Sequence, residues 1–169
     1  TAEGYRPASE ADWKGFNAGM RGSKASMYDG GHRVPFFIRW PAGGVGGGRD
    51  VRQLAAHIDV LPTLIDMAGL KLSKSQRLDG RNLHPQLAGR ASPFDRTHFV
   101  QHTWRLVDGE YQADNPRPFV CSAILTARWR LVDGVELYDV LADPGQTTDL
   151  ANSHPEAVSK LRTEYEEWW

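Results

Sequence analysis

The hexapeptide Trp-Arg-Leu-Val-Asp-Gly occurs twice, at 104–109 and 129–134, and each copy runs strand-forming residues into an Asp-Gly pair. Asp-Gly between such residues signals a hairpin, because a type I′ turn needs positive φ at both central positions. The second copy lies between 129–132 and 135–140, which predicts two antiparallel strands joined at Asp133-Gly134. Two copies do not make a repeat architecture, which needs a fixed period and usually more units. Both are read as hairpin turns. Residues 98–101 and 120–125 are further candidate strands. Ser153 and Glu156 have capping-box spacing, and Val158, Leu161, Tyr165 and Trp168 stripe one face of a closing helix. Residues 97–169 are expected to form a small antiparallel sheet with a terminal helix packed on it.

The preceding 96 residues carry a different pattern. Residues 1–33 are polar and glycine-rich and read as loop. The apolar run from Val34 to Trp40, stopped by Pro41, predicts a strand buried on both faces, with Pro35 tolerated near its start. Glycines crowd 42–48, a loop. A helix follows, with Asp59 as its cap and Pro62 in its first turn. Leu61, Leu64, Ile65 and Ala68 form its apolar stripe, and Gly69 ends it. Residues 71–96 are turn-rich and mark a boundary. The expected class is α+β, with regions 1–96 and 97–169.

Composition narrows the function. Twenty Lys and Arg against 21 Asp and Glu leave a formal charge of −1, with no basic block, which argues against a nucleic-acid partner. No apolar run approaches the roughly 20 residues that cross a bilayer, and no charged-then-apolar leader opens the chain. Cys121, the single cysteine, excludes an internal disulfide and a four-cysteine metal site. Among Val120, Ala123 and Ile124 it reads as a buried, inert thiol. His98 and His102 are four apart, but in strand-like sequence that spacing makes a poor chelate. The chain is expected to hold no metal of its own.

The segment from Gly22 to Pro35 joins a lone Lys24, hydroxyl residues, a glycine pair, His32 and Arg33 ahead of the apolar run. Glycines allow close backbone approach to an anion, and lysine supplies a compact charge. The same residues equally fit a tight turn whose lysine points to water. His32 is held as a second candidate substrate contact because it sits in this loop.

The pattern Lys24-x-x-x-Tyr28-Asp29-Gly30-Gly31-x-Arg33-Val34-Pro35 resembles a segment of the type I sulfatases, the formylglycine-dependent sulfate-ester hydrolases. The resemblance continues through Phe37-Ile38-Arg39-Trp40-Pro41, the stretch from Asp59 to Leu64, and Leu78-Asp79-Gly80. It ends with Glu136-Leu137-Tyr138-Asp139, Asp143-Pro144-Gly145-Gln146 and Asp149-Leu150, so it spans residues 20 to 169. The resemblance is to bacterial arylsulfatase-like members. The resemblance implies the C-terminal part of an alkaline-phosphatase-like fold: the small sheet and helix, plus a remnant of the α/β catalytic domain. It gives Lys24 contact with the sulfate, and it makes Arg33 and Asp29, where glutamate is commoner, braces of the loop.

The resemblance also implies what lies elsewhere. The family's nucleophile matures to formylglycine in a Cys/Ser-x-Pro/Ala-x-Arg segment, and Cys121, followed by Ser122-Ala123-Ile124-Leu125, does not match it. The carboxylates for calcium or magnesium and the catalytic histidine are expected upstream of Thr1. A C-terminal sulfatase fragment, inactive alone, is the resulting expectation, from a periplasmic or secreted parent acting on a sulfate-ester small molecule or sulfated glycan. The N-terminal sulfatase domain is its expected partner, and without it uncovered apolar surface is expected to give either self-association or disorder in residues 1–33. Two other readings are a glycan-binding module using Trp104, Trp168 and Trp169, and a phosphatase or phosphodiesterase relative of the same fold.

Overall fold

The computed structural model describes residues 16–73, 75–107, 110–113 and 115–169. Chain contacts divide into two units, one joining residues up to Val34 with Thr97–Trp169, the other Pro35–Arg96.

The first unit is built on four short strands, β1 (His98–Gln101), β4 (Ser122–Leu125), β5 (Trp129–Val132) and β6 (Glu136–Asp139), antiparallel in the order β1-β4-β5-β6. Strands β2 (Trp104–Val107) and β3 (Glu110–Ala113) form a separate hairpin with Val107 opposite Glu110. In both copies the Trp-Arg-Leu-Val part forms a strand, β2 in the first and β5 in the second. Asp108 and Gly109 themselves lie outside the described residues. At the second copy Asp133 and Gly134 have φ of +49° and +70°, as a type I′ turn requires. Val135 is an added loop residue, so pairing resumes at Val132 opposite Glu136.

Alternation along the strands gives the sheet two occupied faces. Ile124, Leu131 and Leu137 are register partners pointing one way, and helix α4 (Pro155–Trp168) covers them with Leu161 and Tyr165. Leu161 is 3% exposed and Tyr165 fully buried, each contributing about 1.5–3 kcal/mol of burial. On the opposite face Arg130 pairs across the strands with Leu125 and Tyr138. That face is covered by the loop before Val34 and its four-residue helix α1 (Asp29–His32). The expected sheet and closing helix are present.

Local details differ from expectation. Helix α4 starts at Pro155, where the ring pre-sets φ and the missing N–H is not needed, rather than at a Ser153–Glu156 capping box. Ser153 Oγ instead donates to the Leu150 carbonyl at 3.0 Å. Cys121 is only half-buried and precedes β4, with φ +53°.

In the second unit, helices α2 (Val60–Met67) and α3 (His84–Leu87) pack around buried Asp59 and Thr63. Asp59 stands at the N-cap of α2, but its side chain makes no bond to the N–H groups of that helix. Its carboxylate accepts the N–H groups of Ala56 at 2.7 Å and Arg81 at 2.8 Å, and ion-pairs with Arg96 at 2.6 Å. Those contacts tie Arg96, at the end of the unit, and Arg81 to the segment that leads into α2. The buried strand expected at 34–40 is not formed. An isolated strand has no ladder to satisfy its backbone, and only Trp40 finds one, bridging Val45. Phe36 and Phe37 are 56% and 91% exposed, and Leu61 and Leu64 of α2 are exposed with them.

Candidate functional site

Ser26 N–H donates to the Ser23 carbonyl at 2.9 Å, closing a turn with Lys24 and Ala25 at its centre. Ala25 has φ +74°, the value a type II turn reserves for glycine, so the turn is strained. Lys24 is exposed at its tip. The loop is closed at its base by Gly30 N–H donating to the Arg21 carbonyl at 2.8 Å. A Cβ on Gly30 would collide with the carbonyls of Arg21 and Gly22, and one on Gly31 with those of Ser23 and Ser26. Both positions therefore require glycine.

Beneath this loop lies a buried ionic floor. Asp29, 3% exposed, pairs with the Arg130 guanidinium of β5 and with Arg33 Nε at 2.8 Å. Burial pushes the Arg130 guanidinium down and the Asp29 carboxylate opposes that. An arginine keeps its charge in such a site. Asp29 N–H donates to Gln146 Oε1 at 2.6 Å, and Arg21 Nη1 donates to the Gln146 carbonyl at 3.3 Å. Arg21 lies 3.7 Å over the Tyr28 ring and donates to Tyr138 Oη at 3.1 Å. Tyr28 and Tyr138 both donate to Glu136 Oε2 at 2.8 Å. Burial, then the Glu136 carboxylate, raises both phenols, Tyr138 to about 12, so both stay protonated. The Tyr-Asp-Gly-Gly segment, the Glu-Leu-Tyr-Asp strand and the Asp-Pro-Gly-Gln turn are thus one bonded assembly. A cavity of about 510 Å³ opens beside it, between Met20–Ser23 and Gly145–Thr147.

The two candidate residues occupy different surroundings. Lys24 faces outward, whereas His32 is half-buried with Nδ1 2.9 Å from Arg130 Nη1. Since arginine can only donate, Nδ1 accepts and the ring proton sits on Nε2, which is buried without a partner. Burial first, then the Arg130 charge, lowers His32 to about 4. The unfolded chain, with His32 near 6.5, therefore binds a proton that the folded chain refuses, and stability falls as pH drops from about 6.5 towards 4. Thermal unfolding at pH 7, 6 and 5 should show that decline, and His32→Gln should flatten it. An unchanged pH slope in the variant would remove His32 from the account.

Arg33 braces Asp29, as the resemblance implies. Arg130, Glu136, Tyr138 and Gln146 complete the assembly without having been singled out as site residues. Three of them lie in the quoted motifs. Arg130 lies in the second hexapeptide, where it reads only as a strand residue, and Arg21 lies in no motif. The importance of each comes from what the fold brings against it. Among the described residues no group of three or more His, Cys, Asp or Glu is arranged to hold a metal ion. Trp168 stacks on Phe99 with centroids 5.0 Å apart and Trp169 on Tyr165 at 6.0 Å, while both tryptophans stay 49% exposed. The Trp104 side chain lies outside the described residues.

Residues 22–167 match the family described as N-sulphoglucosamine sulphohydrolase, C-terminal. The chain is 40% identical to the steryl-sulfatase of Mus musculus over 88% of its own length and 26% of that protein. It is 29% identical to the N-acetylgalactosamine-6-O-sulfatase of Bacteroides thetaiotaomicron over 83% of itself and 28% of that protein. The crystal structure of Ps i-CgsB shares the fold, with TM-score 0.69, 23% identity, and coverage of 88% of this chain and 31% of that one. The chain spans under a third of the length of these relatives. With its motifs bonded to one another around the Lys24 turn, the chain belongs to the sulfatase family and corresponds to its C-terminal domain.

Proposed function

We propose that this chain is the C-terminal portion of an enzyme that hydrolyses sulfate monoesters, and that Lys24 contacts the sulfate. The observation that carries the reading is the Lys24 turn. Lys24 stands exposed at the tip of a strained loop whose base is bonded to the C-terminal sheet through Arg21 and Tyr138. A cation fixed in advance where negative charge gathers is a large term in such transfers. A formylglycine nucleophile and a calcium or magnesium ion would act from residues outside those described. No residue here stands in a Cys/Ser-x-Pro/Ala-x-Arg segment.

A sulfated glycan is the favoured substrate class. One relative is named for a sulfated amino sugar, and a structural neighbour is titled as a complex with k-i-k-neocarrahexaose. A periplasmic or secreted location suits such a substrate. The exposed Phe36, Phe37, Leu61 and Leu64 are apolar surface that an N-terminal domain would cover.

The test compares the chain alone with the protein that carries it. The longer protein should release sulfate from an aryl sulfate or a sulfated oligosaccharide. The chain alone should release none and should sediment above its 18.9 kDa monomer mass. Turnover by the isolated chain, or a longer protein that cleaves phosphate esters and spares sulfate esters, would overturn the reading.

A further inference from the structure

The Asp-Pro-Gly-Gln turn contains a residue whose conformation is costly and whose purpose the fold alone does not explain. Gln146 is fully buried, its backbone is left-handed at φ +48°, and its Nε2 has no hydrogen-bond partner. A long β-carbon-bearing residue in that region is strained, and a buried orphan donor adds to the cost. Such outliers persist where the surroundings over-determine them, and they cluster at functional sites.

The contacts say what is held. Gln146 accepts from Arg21 Nη1 through its carbonyl and from Asp29 N–H through its side chain. Arg21 and Asp29 are the two stems of the loop that presents Lys24, and Gly30 N–H joins those stems by bonding to the Arg21 carbonyl. The Gln146 N–H is anchored to the Asp143 carbonyl, and the Asp143 carboxylate accepts the Thr147 and Thr148 N–H groups at 2.7 and 2.9 Å. The clamp is therefore itself fixed.

We propose that Gln146 is a positioning residue, a two-point clamp that sets the height and direction of the Lys24 turn; the catalytic consequence rests on the sulfate-contacting reading of Lys24. Its backbone carbonyl holds one stem and its side-chain carbonyl the other. The side-chain bond is the adjustable half.

Gln146→Gly separates the clamp from the fold. Glycine accepts the left-handed backbone without strain and keeps the carbonyl bonded to Arg21, while the bond to Asp29 N–H is lost. Gln146→Glu keeps an acceptor for that N–H and removes the orphan donor. Both variants are to be made in the protein that carries this chain. Amide exchange of residues 22–31, Tm, and kcat and KM for an aryl sulfate are the measurements. In Gln146→Gly, exchange in 22–31 should quicken about tenfold or more with Tm little changed. kcat should fall about tenfold or more, as a displaced catalytic group demands. Gln146→Glu should restore both to within about threefold of the parent.

Unchanged exchange in Gln146→Gly overturns the clamp. Faster exchange with kcat and KM unmoved overturns the positioning role. If the parent protein turns over no sulfate ester, the reading of Lys24 and the positioning role fail together, whereas faster exchange would still uphold the clamp.

Discussion

Lys24→Ala, made in the protein that carries this chain, is expected to lower kcat by roughly 10²–10³-fold, the scale for one preorganised electrostatic donor. Lys24 is exposed at the centre of a turn closed by Ser23 and Ser26, so its removal creates no cavity, and stability should change by less than about 1 kcal/mol. Lys24→Arg should recover little, because a planar fork replaces a compact charge. Steady-state kinetics with folding checked by circular dichroism decides the matter. Near-normal turnover in the alanine variant would make Lys24 an ordinary loop lysine and would leave this chain without a catalytic group.

The largest stability effect is expected at Arg130. Its side chain is 5% exposed and that of Asp29 is 4% exposed, so the pair is almost wholly out of water. Removing Arg130 leaves the buried Asp29 carboxylate with only Arg33 Nε, from a side chain 59% exposed. Stranding one charge of a buried pair costs about 3–5 kcal/mol, and the Arg33 contact puts this case at the lower end of that range. Arg130→Met should therefore lose about that much in urea unfolding, while keeping the alkyl volume of the arginine stem. Asp29→Asn combined with Arg130→Met leaves no stranded charge and should recover most of the loss. A single-variant cost under about 1 kcal/mol would mean that water reaches the pair and that the ionic floor is not what holds the loop.

These two residues also divide what could be read in the chain from what could not. Lys24 belongs to an ordered set of motifs, and its loop, the Asp133-Gly134 hairpin and the Leu161–Tyr165 face of α4 are all visible as local patterns. Each depends on φ preferences or on a period of 2 or 3.6, which neighbours in sequence express by themselves. The failures were local too. The apolar run 34–40 looks like a strand, but a strand exists only where another lies beside it, and Trp40 finds Val45 alone. Ser153 and Glu156 have capping-box spacing, yet Pro155 sets the start of α4.

Sequence by itself thus determined the antiparallel sheet, its closing helix and the family. Tertiary structure alone decided that the Tyr-Asp-Gly-Gly loop seats on the face of β5 and β6 opposite α4, with Asp29 on Arg130 and Gln146. Those partners stand 101 and 117 positions from Asp29. Which strand residue faces the loop follows from register and burial, and a buried charge gains its partner only once the whole sheet has closed around it.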